Sequence, residues 1–397
     1  MTPPPQPAPQ PPGALPTGLP TGLAAGLPAG RVDLLVAGAG VVGLAHAVEA
    51  HLRGLSVAVV ERDAFAAGAS VRNFGHICTT AQDGPALGYA LAARDRWLRL
   101  AAETGLAVAE SGTLVVARRP EEMAVLEEFA ADRGPDQVRL LDAAGVARHL
   151  PAPGAAPLGG ALLPLDLRLD PRAAIPALAA WLAGRGVPIA WRTSVLSAEP
   201  GLVRTSRGDV RADRTVLAVG HDLDRLHPAA ADAAGMTRCR LQMLEVAAPG
   251  GLRVAPGVLT GLSLLRYSGF AAQPSAAALR DAVTAASPEL LDAGVNLMFT
   301  QRPDGAIVLG DTHHYAATHT PFDDEDTAEL LLREGARLLG VPGLRVLRRW
   351  RGEYASSDRT DFLDAEVASG VRAVSVTSGI GMTTAHGLAQ AVLDSLL

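Results

Sequence analysis

Near the start of the chain, the pattern of hydrophobic and polar positions changes twice, and it predicts a strand, a helix and a second strand. Residues 31–62, RVDLLVAGAGVVGLAHAVEAHLRGLSVAVVER, begin with a continuous apolar run that stops at Gly38. Apolar residues at helical spacing follow as far as Gly54, and a second apolar run ends at Glu61. Continuous apolar runs are typical of strands that are buried on both faces. The segment therefore predicts a βαβ unit with parallel strands.

Similar patterns recur much later in the chain. Residues 169–195 predict a helix followed by a strand, and residues 201–222 predict a hairpin and a buried strand that ends at Gly220. Residues 375–397 predict an apolar strand, a turn built on Gly379 and Gly381, and a final helix from about Thr384. We expect these distant segments to complete one α/β fold with the first unit.

A different pattern occupies the stretches between them. Residues 239–247, 258–270 and 296–315 contain alternating or β-branched runs separated by turns, which is typical of an antiparallel sheet. We therefore predict a discontinuous α/β domain over residues 31–83, 166–235 and 340–397. A second, mainly antiparallel domain is predicted over residues 84–165 and 236–339. Residues 1–30, which have no charged side chain and are dense in Pro and Gly, are predicted to be disordered.

Composition narrows the class of protein. The chain has 397 residues, of which 48% are hydrophobic and 19% charged, and its formal net charge is −6. No stretch concentrates Lys and Arg as nucleic-acid binding requires, and the apolar runs are interrupted by Gly, His and Glu, so we expect neither a nucleic-acid partner nor a membrane span. Two cysteines and the absence of a signal-peptide pattern favour a cytoplasmic protein.

The turn after the first strand carries the first candidate chemistry. Gly38, Gly40 and Gly43 form a G-x-G-x-x-G motif between a predicted strand and a predicted helix. Such glycines allow a tight turn and the close approach of a pyrophosphate, and an acidic residue about 20 positions later holds a ribose hydroxyl. Glu61 occupies that place. The turn at Gly379 and Gly381 is a second candidate, because backbone amides at the start of a helix favour negative charge.

Four blocks resemble one known superfamily. They are the Gly38 motif with Glu61, GASVRNFG (68–75), TVLAVGHDLDRL (215–226) and SGIGMTTAHGLAQ (378–390). On these blocks the chain resembles the FAD-dependent amine oxidoreductases of the D-amino-acid oxidase, glycine oxidase and sarcosine oxidase superfamily, over nearly everything after residue 30. Within it, SVRNFG, LSLLRYSGF, LGDTHHYAATHTPFDDED and RRWRGEY resemble a branch found with phosphonate-degradation genes.

The resemblance implies FAD as the cofactor. It implies that the discontinuous α/β domain is a Rossmann-like, FAD-binding domain of the glutathione-reductase type and that the antiparallel domain binds the substrate. It also implies a set of residues that bind FAD. The predicted FAD-binding residues are Gly38, Gly40, Val42, Gly43, Glu61, Arg62, Ser70, Arg72, Asn73, Val195, Gly220, Gly379, Ile380, Gly381, Met382 and Thr383. This chain differs from glycine and D-amino-acid oxidases at one position, because Tyr354 stands where those enzymes have an arginine that binds the substrate carboxylate. Arg266, Arg351 and His313 are the candidate replacements, and several such donors suit a phosphonate dianion.

Other polar clusters are expected to be structural. Residues 313–326 collect three histidines and four acids, but the acids suit the first turn of a following helix, so no metal site is predicted. His76 and Cys78 follow the RNFG block, and packing against the flavin is favoured over a covalent bond to it.

The predicted function is FAD-dependent dehydrogenation of the C–N bond of a small amine, with an aminophosphonate or an N-alkyl amino compound as substrate and oxygen or a quinone as acceptor. Hydride passes to flavin N5, and water hydrolyses the resulting imine. The alternatives are C–O oxidation of a 2-hydroxy acid, with His313 or His314 as base, and deamination of the D-amino-acid or glycine oxidase type. A flavin-binding protein without turnover is the alternative from another class.

Overall fold

The apolar runs of the sequence form the strands of two large sheets and the helices that pack against them. The computed structural model describes residues 26–397. The strands are β1 Val32–Ala37, β2 Val57–Val60, β3 His76–Ile77, β4 Val108–Ala109, β5 Thr113–Ala117, β6 Arg139–Asp142, β7 Gly159–Leu163, β8 Leu167–Leu169, β9 Ile189–Ala190, β10 Val195–Glu199, β11 Leu202–Thr205, β12 Gly208–Leu217, β13 Thr237–Val246, β14 Gly257–Thr260, β15 Met298–Gln301, β16 Ile307–Gly310, β17 His314–Ala316, β18 Val346–Ser356, β19 Phe362–Ala368 and β20 Val371–Val376. The helices are α1 Val41–Leu52, α2 Gly84–Thr104, α3 Pro120–Arg133, α4 Ala143–His149, α5 Pro171–Ala183, α6 Leu223–Leu226, α7 Pro228–Ala233, α8 Gly261–Leu264, α9 Ser268–Ala271, α10 Ala276–Ala286, α11 Pro288–Asp292, α12 Glu325–Leu339 and α13 Gly381–Leu396.

The first sheet joins segments that lie far apart in the sequence. Within residues 26–397 it has eight strands, in the order β10, β11, β12, β1, β2, β9, with β20 beside β12 and β19 beside β20. Strands β9, β2, β1, β12 and β20 run parallel. Strand β19 runs antiparallel to β20, and β11 runs antiparallel to the first part of β12. The central β1–α1–β2 unit is therefore a parallel crossover of the Rossmann type.

One face of this sheet is covered by α1, α5 and α13, with α2 packed on α13. Leu34 and Val36 of β1 share a buried cluster with Leu44 of α1 and Leu388 of α13. Trp97 of α2 donates its indole N–H to the carbonyl of Met382 at 2.9 Å. The start of α13 is thus fixed by both the sheet and a neighbouring helix.

The second sheet is mainly antiparallel. In the described part of the chain it has nine strands, in the order β17, β13, β16, β15, β14, β5, β7, β6, with β18 beside β13. The β5–β14 pair is parallel, whereas the other pairs run antiparallel. Strand β18 pairs with β13 along its length, so residues 346–356 lie in this sheet. A small third sheet contains β3, β8 and β4.

The predicted fold class, a Rossmann-like parallel sheet with a second antiparallel sheet, is confirmed. Helix α13 begins earlier than the predicted start at about Thr384, and α12 has two of the expected acids, Glu325 and Asp326, in its first turn. Helix α13 begins at Gly381 because the amides of Thr383 and Thr384 both donate to the Ile380 carbonyl at 3.0 Å. Helix α12 begins at Glu325 because the Asp324 carboxylate accepts from the amide of Asp326 at 3.0 Å.

The prediction of a disordered tail lies outside the described residues for positions 1–25. No helix among residues 26–397 is both long enough and apolar enough to cross a bilayer.

Candidate active site

A large cavity lies between the two sheets and receives most of the predicted site residues. Its volume is about 580 Å³. At one end it is lined by the turn after β1 and by the residues that follow β2 and β12, such as Glu61 and Gly220. At the other end it is lined by residues of the antiparallel sheet and its loops, such as Leu241, Arg266 and Tyr354. The turn before α13 lies along its wall.

The turn after β1 has the backbone that a pyrophosphate site requires. Gly38 has a φ of 104°, and a Cβ on it would overlap the carbonyl oxygen of Ala218. A Cβ on Gly43 would overlap the carbonyl of Gly38, so glycine there lets α1 pack closely against β1. The Ser70 hydroxyl accepts from the amide of Val41 at 2.8 Å and caps α1. Gly40, by contrast, faces the Ser70 hydroxyl, which would lie 3.0 Å from an added Cβ.

Glu61 lies at the end of β2 and is held by backbone amides. Its carboxylate accepts from the amides of Ala39 and Asp63 at 2.8 and 2.9 Å. Burial raises the pKa of Glu61, while these two hydrogen bonds act in the opposite direction. The carboxylate is therefore fixed beside the glycine turn, where it can accept from a hydroxyl in the cavity.

Further predicted residues complete this end of the cavity. Arg62 forms an ion pair with Asp222, which follows Gly220 in the sequence. Val42, Val195, Gly220 and Arg62 all line the cavity. The Asn73 side chain bonds to the backbone of its own loop, donating to the carbonyls of Ala69 and Ser70 at 3.1 and 3.0 Å. It shapes the loop, although it also faces the cavity.

Arg72 links that loop to the antiparallel sheet. Its guanidinium donates to the carbonyl of Arg351 at 3.3 Å, and its carbonyl accepts from the indole of Trp350 at 2.9 Å. Arg72 also lines the cavity, so it contributes both to the wall and to the contact between the sheets.

The turn before α13 presents backbone amides to the cavity. Within residues 26–397, the amides of Gly381 and Met382 make no hydrogen bond, whereas those of Thr383 and Thr384 donate to Ile380. Residues 378–383 line the cavity. Gly379 has a φ of 79°, and a Cβ there would lie 2.9 Å from the Tyr354 ring. Free amides at the start of a 16-residue helix form a site for negative charge.

Arg266 is the principal cation at the other end of the cavity. It donates to the hydroxyls of Tyr354 and Tyr315 at 2.9 and 3.2 Å. Burial alone would lower the pKa of Arg266, but Tyr354, Tyr315 and Asp311 raise it above its ordinary value. Burial raises the pKa of both tyrosines, so their hydroxyls stay neutral at physiological pH. The positive charge of Arg266 is not cancelled by an ion pair within the described chain.

Asp311 and His313 lie beside Arg266 in the wall of the cavity. Asp311 follows β16 and is 4% exposed, and its Oδ1 atom has no hydrogen-bond partner within residues 26–397. His313 Nδ1 lies 2.9 Å from the carbonyl of Gly294, which makes Nδ1 the protonated nitrogen. Burial lowers the pKa of His313 well below its usual value. Its Nε2 lies 3.7 Å from Asp311 Oδ2.

Arg351 does not join this group. Its guanidinium donates to the carbonyls of Thr320 and Pro321 at 3.2 and 2.8 Å and forms an ion pair with Asp323 at 2.9 Å. It is absent from the residues that line the cavity. Alternation along β18 explains this placement, because Tyr354 and Arg351 are an odd number of residues apart and their side chains leave opposite faces of the strand.

His76 and Cys78 line the cavity next to a buried acid. His76 Nε2 lies 2.5 Å from the Thr113 hydroxyl and 3.8 Å from Asp166. The Asp166 carboxylate accepts from both the amide and the hydroxyl of Thr80. The potential ligand atoms of His76, Cys78 and Asp166 lie within 4.8 Å of one another. Burial lowers the pKa of His76 to about 4, so this histidine is neutral.

The sequence missed Asp311 and Tyr315 as site residues. The sequence contained an indication for Asp311, because this acid follows the apolar run of residues 306–309 after a single glycine. The two histidines after it were considered as catalytic candidates instead. Tyr315 had no such indication, since nothing in its neighbourhood indicates that Arg266, 49 residues earlier in the chain, would contact it.

Comparisons with known proteins identify the family. Residues 33–395 match the model of the family described as "FAD dependent oxidoreductase". No curated protein sequence matches the chain. Among solved structures, the chain is similar to glycine oxidase from Geobacillus kaustophilus, with a TM-score of 0.74, 19% identity, and coverage of 92% of this chain and 94% of that one.

Two further solved structures share the fold. L-proline dehydrogenase from P. horikoshii gives a TM-score of 0.75 at 17% identity, covering 92% of this chain and 93% of that one. L-alpha-glycerophosphate oxidase from Mycoplasma pneumoniae gives 0.72 at 20% identity, covering 92% and 94%.

The residues of the cavity fit the cofactor that this family uses. Gly38 and Gly43 let the backbone of the turn pack tightly after β1, because a Cβ on either would overlap a carbonyl oxygen of the protein. The turn and the Glu61 carboxylate both line the cavity, and free amides start α13. FAD is therefore the cofactor expected in the cavity between the sheets. The chain belongs to the family of FAD-dependent oxidoreductases.

Proposed function

We propose that this enzyme dehydrogenates the C–N bond of a small amine that also carries an anionic group, with an aminophosphonate or an N-alkyl amino compound as substrate. Bound FAD supplies the hydride acceptor. The proposal is consistent with the family and with the glycine oxidase and L-proline dehydrogenase among the proteins of similar fold. The phosphonate itself is inferred from the sequence resemblance and from the charge of the site.

The observation that carries the proposal is the cation Arg266 in the wall of the cavity, which makes no ion pair within 4 Å in the described chain. Of its two tyrosine partners, Tyr354 also lines the cavity, and its neutral hydroxyl can itself donate to an anion. An anion bound there would gain the guanidinium and the Tyr354 hydroxyl as donors. A guanidinium with several N–H donors suits a phosphonate, which has three acceptor oxygens.

The rest of this end excludes water and limits size. Leu241, Met298 and Phe74 line the cavity and are each less than 10% exposed. Their apolar surface would desolvate the reacting carbon and nitrogen while Arg266 holds the anion. We propose Arg266 and Tyr354 as substrate-binding residues, with His313 beside them, and we exclude Arg351 because Asp323 already pairs with it.

We keep the predicted FAD-binding residues as proposals, each with the role that its contacts support. Glu61 would accept from the adenosine ribose, the turn from Gly38 to Gly43 would hold the pyrophosphate, and the amides of Gly381 and Met382 would face negative charge on the flavin. Oxygen or a quinone would re-oxidise the cofactor.

C–O oxidation is the second candidate. The unprotonated Nε2 of His313 could accept the proton of a substrate hydroxyl. Deamination of glycine or a D-amino acid is a third, and it would place a carboxylate instead of a phosphonate on Arg266. The three candidates differ in the substrate that the same cation would hold.

Two arginine substitutions test the proposed anion site. Arg266→Met should lower kcat/KM for 2-(methylamino)ethylphosphonate by roughly 10- to 100-fold, because a buried charge-assisted hydrogen bond is worth about 1.5–3 kcal/mol. Arg351→Met is the matched control and should change kcat/KM by less than about threefold, since it loses an ion pair and two hydrogen bonds to the loop before α12, outside the cavity lining. Both variants should keep a normal flavin spectrum.

Equal effects of the two substitutions would contradict the assignment of the anion to Arg266. Efficient turnover of glycine or simple D-amino acids with none of the aminophosphonate would contradict the proposed substrate class.

A further inference from the structure

Asp311 and His313 form a pair of hydrogen-bond acceptors without a donor between them. His313 donates Nδ1–H to the carbonyl of Gly294, which leaves a lone pair on Nε2, and Asp311 Oδ2 lies 3.7 Å from that nitrogen. Two acceptors at this distance repel each other unless a donor lies between or beside them. Both residues line the cavity.

Neighbouring side chains hold Asp311 in place, and the charge of Arg266 opposes the rise in the Asp311 pKa without forming an ion pair in the described chain. The Ser263 hydroxyl lies 2.7 Å from Asn296 Oδ1, which turns the amide nitrogen of Asn296 toward the carboxyl and opposes the rise in the pKa of Asp311. Asp311 Oδ1 has no partner in the described chain. The Asp311 carboxylate is therefore positioned, buried and incompletely satisfied, which is costly unless a ligand completes it.

One kind of ligand group satisfies both acceptors. A substrate ammonium has several N–H donors and a positive charge, so it can donate to Asp311 and to His313 Nε2 and cancel the carboxylate charge. Arg266 lies in the same cavity and carries the opposite charge. The site thus offers a cation and an anion to the two ends of one small molecule.

We infer that Asp311, with His313 Nε2, binds the ammonium group of the substrate, so that the enzyme selects zwitterionic amines whose anion lies on Arg266. This inference rests on the proposed function, because it assumes an anionic substrate at Arg266. It adds the residue that distinguishes an amine from an alcohol or an alkane of the same shape. An alkane leaves both acceptors unsatisfied, and an alcohol has one donor and no charge to balance the carboxylate.

The ionisation of Asp311 sets the pH range of this selectivity. Burial raises the pKa of Asp311 to about 7. The folded-state pKa lies above the ordinary value, so the carboxylate that attracts the ammonium is present above pH 7 and is lost as the pH falls through 7. The preference for an ammonium should follow the same curve.

Other groups that face Asp311 do not titrate in this range. Arg266 stays charged and His313 stays neutral, because the pKa of Arg266 is raised and that of His313 is lowered. Burial raises the pKa of Tyr267 and raises that of Cys239 to about 11, so both remain protonated. Asp311 is the group expected to titrate near pH 7 at this end of the cavity.

The test compares probes that differ only by a charge and cannot be oxidised. The first pair is 2-amino-2-methylpropylphosphonate and 2,2-dimethylpropylphosphonate, in which an ammonium replaces a methyl group and the carbon next to nitrogen has no hydrogen. The second pair, 3-amino-3-methylbutanoate and 3,3-dimethylbutanoate, carries a carboxylate. Calorimetry on the oxidised holoenzyme gives the affinity ratio within each pair. An ammonium lowers the second pKa of a neighbouring phosphonate, so the pH dependence is taken as the difference between the wild type and Asp311→Asn at the same pH, in which titration of the probes cancels.

The wild type should bind the ammonium probe at least about tenfold more tightly than its neutral partner at pH 8.5, with the ratio approaching 1 as the pH falls below 7. Asp311→Asn should abolish both the ratio and its pH dependence while the neutral probe still binds. Asp166→Asn removes another buried carboxyl, whose pKa burial raises to about 6, and should leave the ratio unchanged.

Equal binding within a pair by the wild type at pH 8.5, or a ratio that persists in Asp311→Asn, would overturn the inference, and the wild-type measurement needs no variant to fold. Binding of the carboxylate pair alone would contradict the proposed phosphonate, while its ratio would still decide the role of Asp311. Failure of all four probes to bind would contradict the anion site and the inference together.

Discussion

At the scale of single residues, Glu61 shows how a position in the sequence pattern becomes an oriented carboxylate in the cavity wall. The position follows from the pattern, because the residue after a buried strand of a βαβ unit lies at the edge where the glycine turn is. Its orientation does not follow from the pattern, since it depends on hydrogen bonds from the amides of Ala39 and Asp63. The structure shows both the position and the orientation of Glu61, whose carboxylate faces the cavity.

Glu61→Ala should weaken FAD binding by roughly 1–3 kcal/mol, which is the cost of losing buried charge-assisted hydrogen bonds. Titration of the apoprotein with FAD measures the loss. FMN, which lacks the adenosine, is the control ligand, and its affinity should not change. A variant that binds FAD as tightly as the wild type, or that loses FAD and FMN equally, would remove Glu61 from the ribose site.

Asp311 shows the limit of prediction at this scale. Arg266 and His313 were candidates because of their residue types. Asp311 becomes a candidate only through its position near both of these side chains. That relation arises where the end of β16 meets the loop after α8, two segments whose contact no local pattern indicates. Arg351 failed as a substrate candidate for the same reason, because its pairing with Asp323 depends on the loop before α12.

At the scale of elements, the turn before α13 is the clearest case of a sequence pattern that predicts a chemical feature of the site. Gly379 and Gly381 predicted a turn with free amides, and the amides of Gly381 and Met382 are unpaired in the described chain. Gly379 has a second function that the sequence did not indicate, which is to leave room for the Tyr354 ring. The two glycines are therefore not equivalent, and substitutions should separate them.

Gly381→Val should lower the reduction potential of the flavin and weaken FAD binding while the protein still folds. A Cβ on Gly381 would meet only Val41, at 3.6 Å, so the added carbons would affect a ligand in the cavity and not the protein core. Each 1.4 kcal/mol of lost stabilisation of the two-electron reduced form lowers the potential by about 30 mV.

Potentiometric titration of the wild type, Gly381→Ala and Gly381→Val measures the effect, which should grow with the size of the side chain. Folded, FAD-bound variants with the wild-type potential would show that the turn is only structural.

At the scale of the whole molecule, the cavity exists because distant segments share one sheet. Strands β1, β2, β12 and β20 come from residues 32–60, 208–217 and 371–376, and their parallel order places the glycine turn, Glu61 and the start of α13 around one space. Repeated apolar runs were enough to predict this sheet. They were not enough to place β18, whose polar and apolar residues alternate weakly and whose partner is β13.

The antiparallel sheet closes the same space from the other side and brings the substrate residues to it. Arg266, Asp311 and Tyr354 come from three separate segments and share one end of the cavity. We therefore propose for the assembled molecule that FAD bound between the sheets oxidises an amine whose anion lies on Arg266.

Anaerobic mixing of the holoenzyme with 2-(methylamino)ethylphosphonate, followed by absorbance near the flavin maximum, tests that claim most directly. We expect the flavin to be reduced, and an amine and an aldehyde to be formed in equal amounts. 2-Hydroxyethylphosphonate, which has a hydroxyl in place of the amine, should leave the flavin oxidised. Reduction by the alcohol and not by the amine would contradict the account.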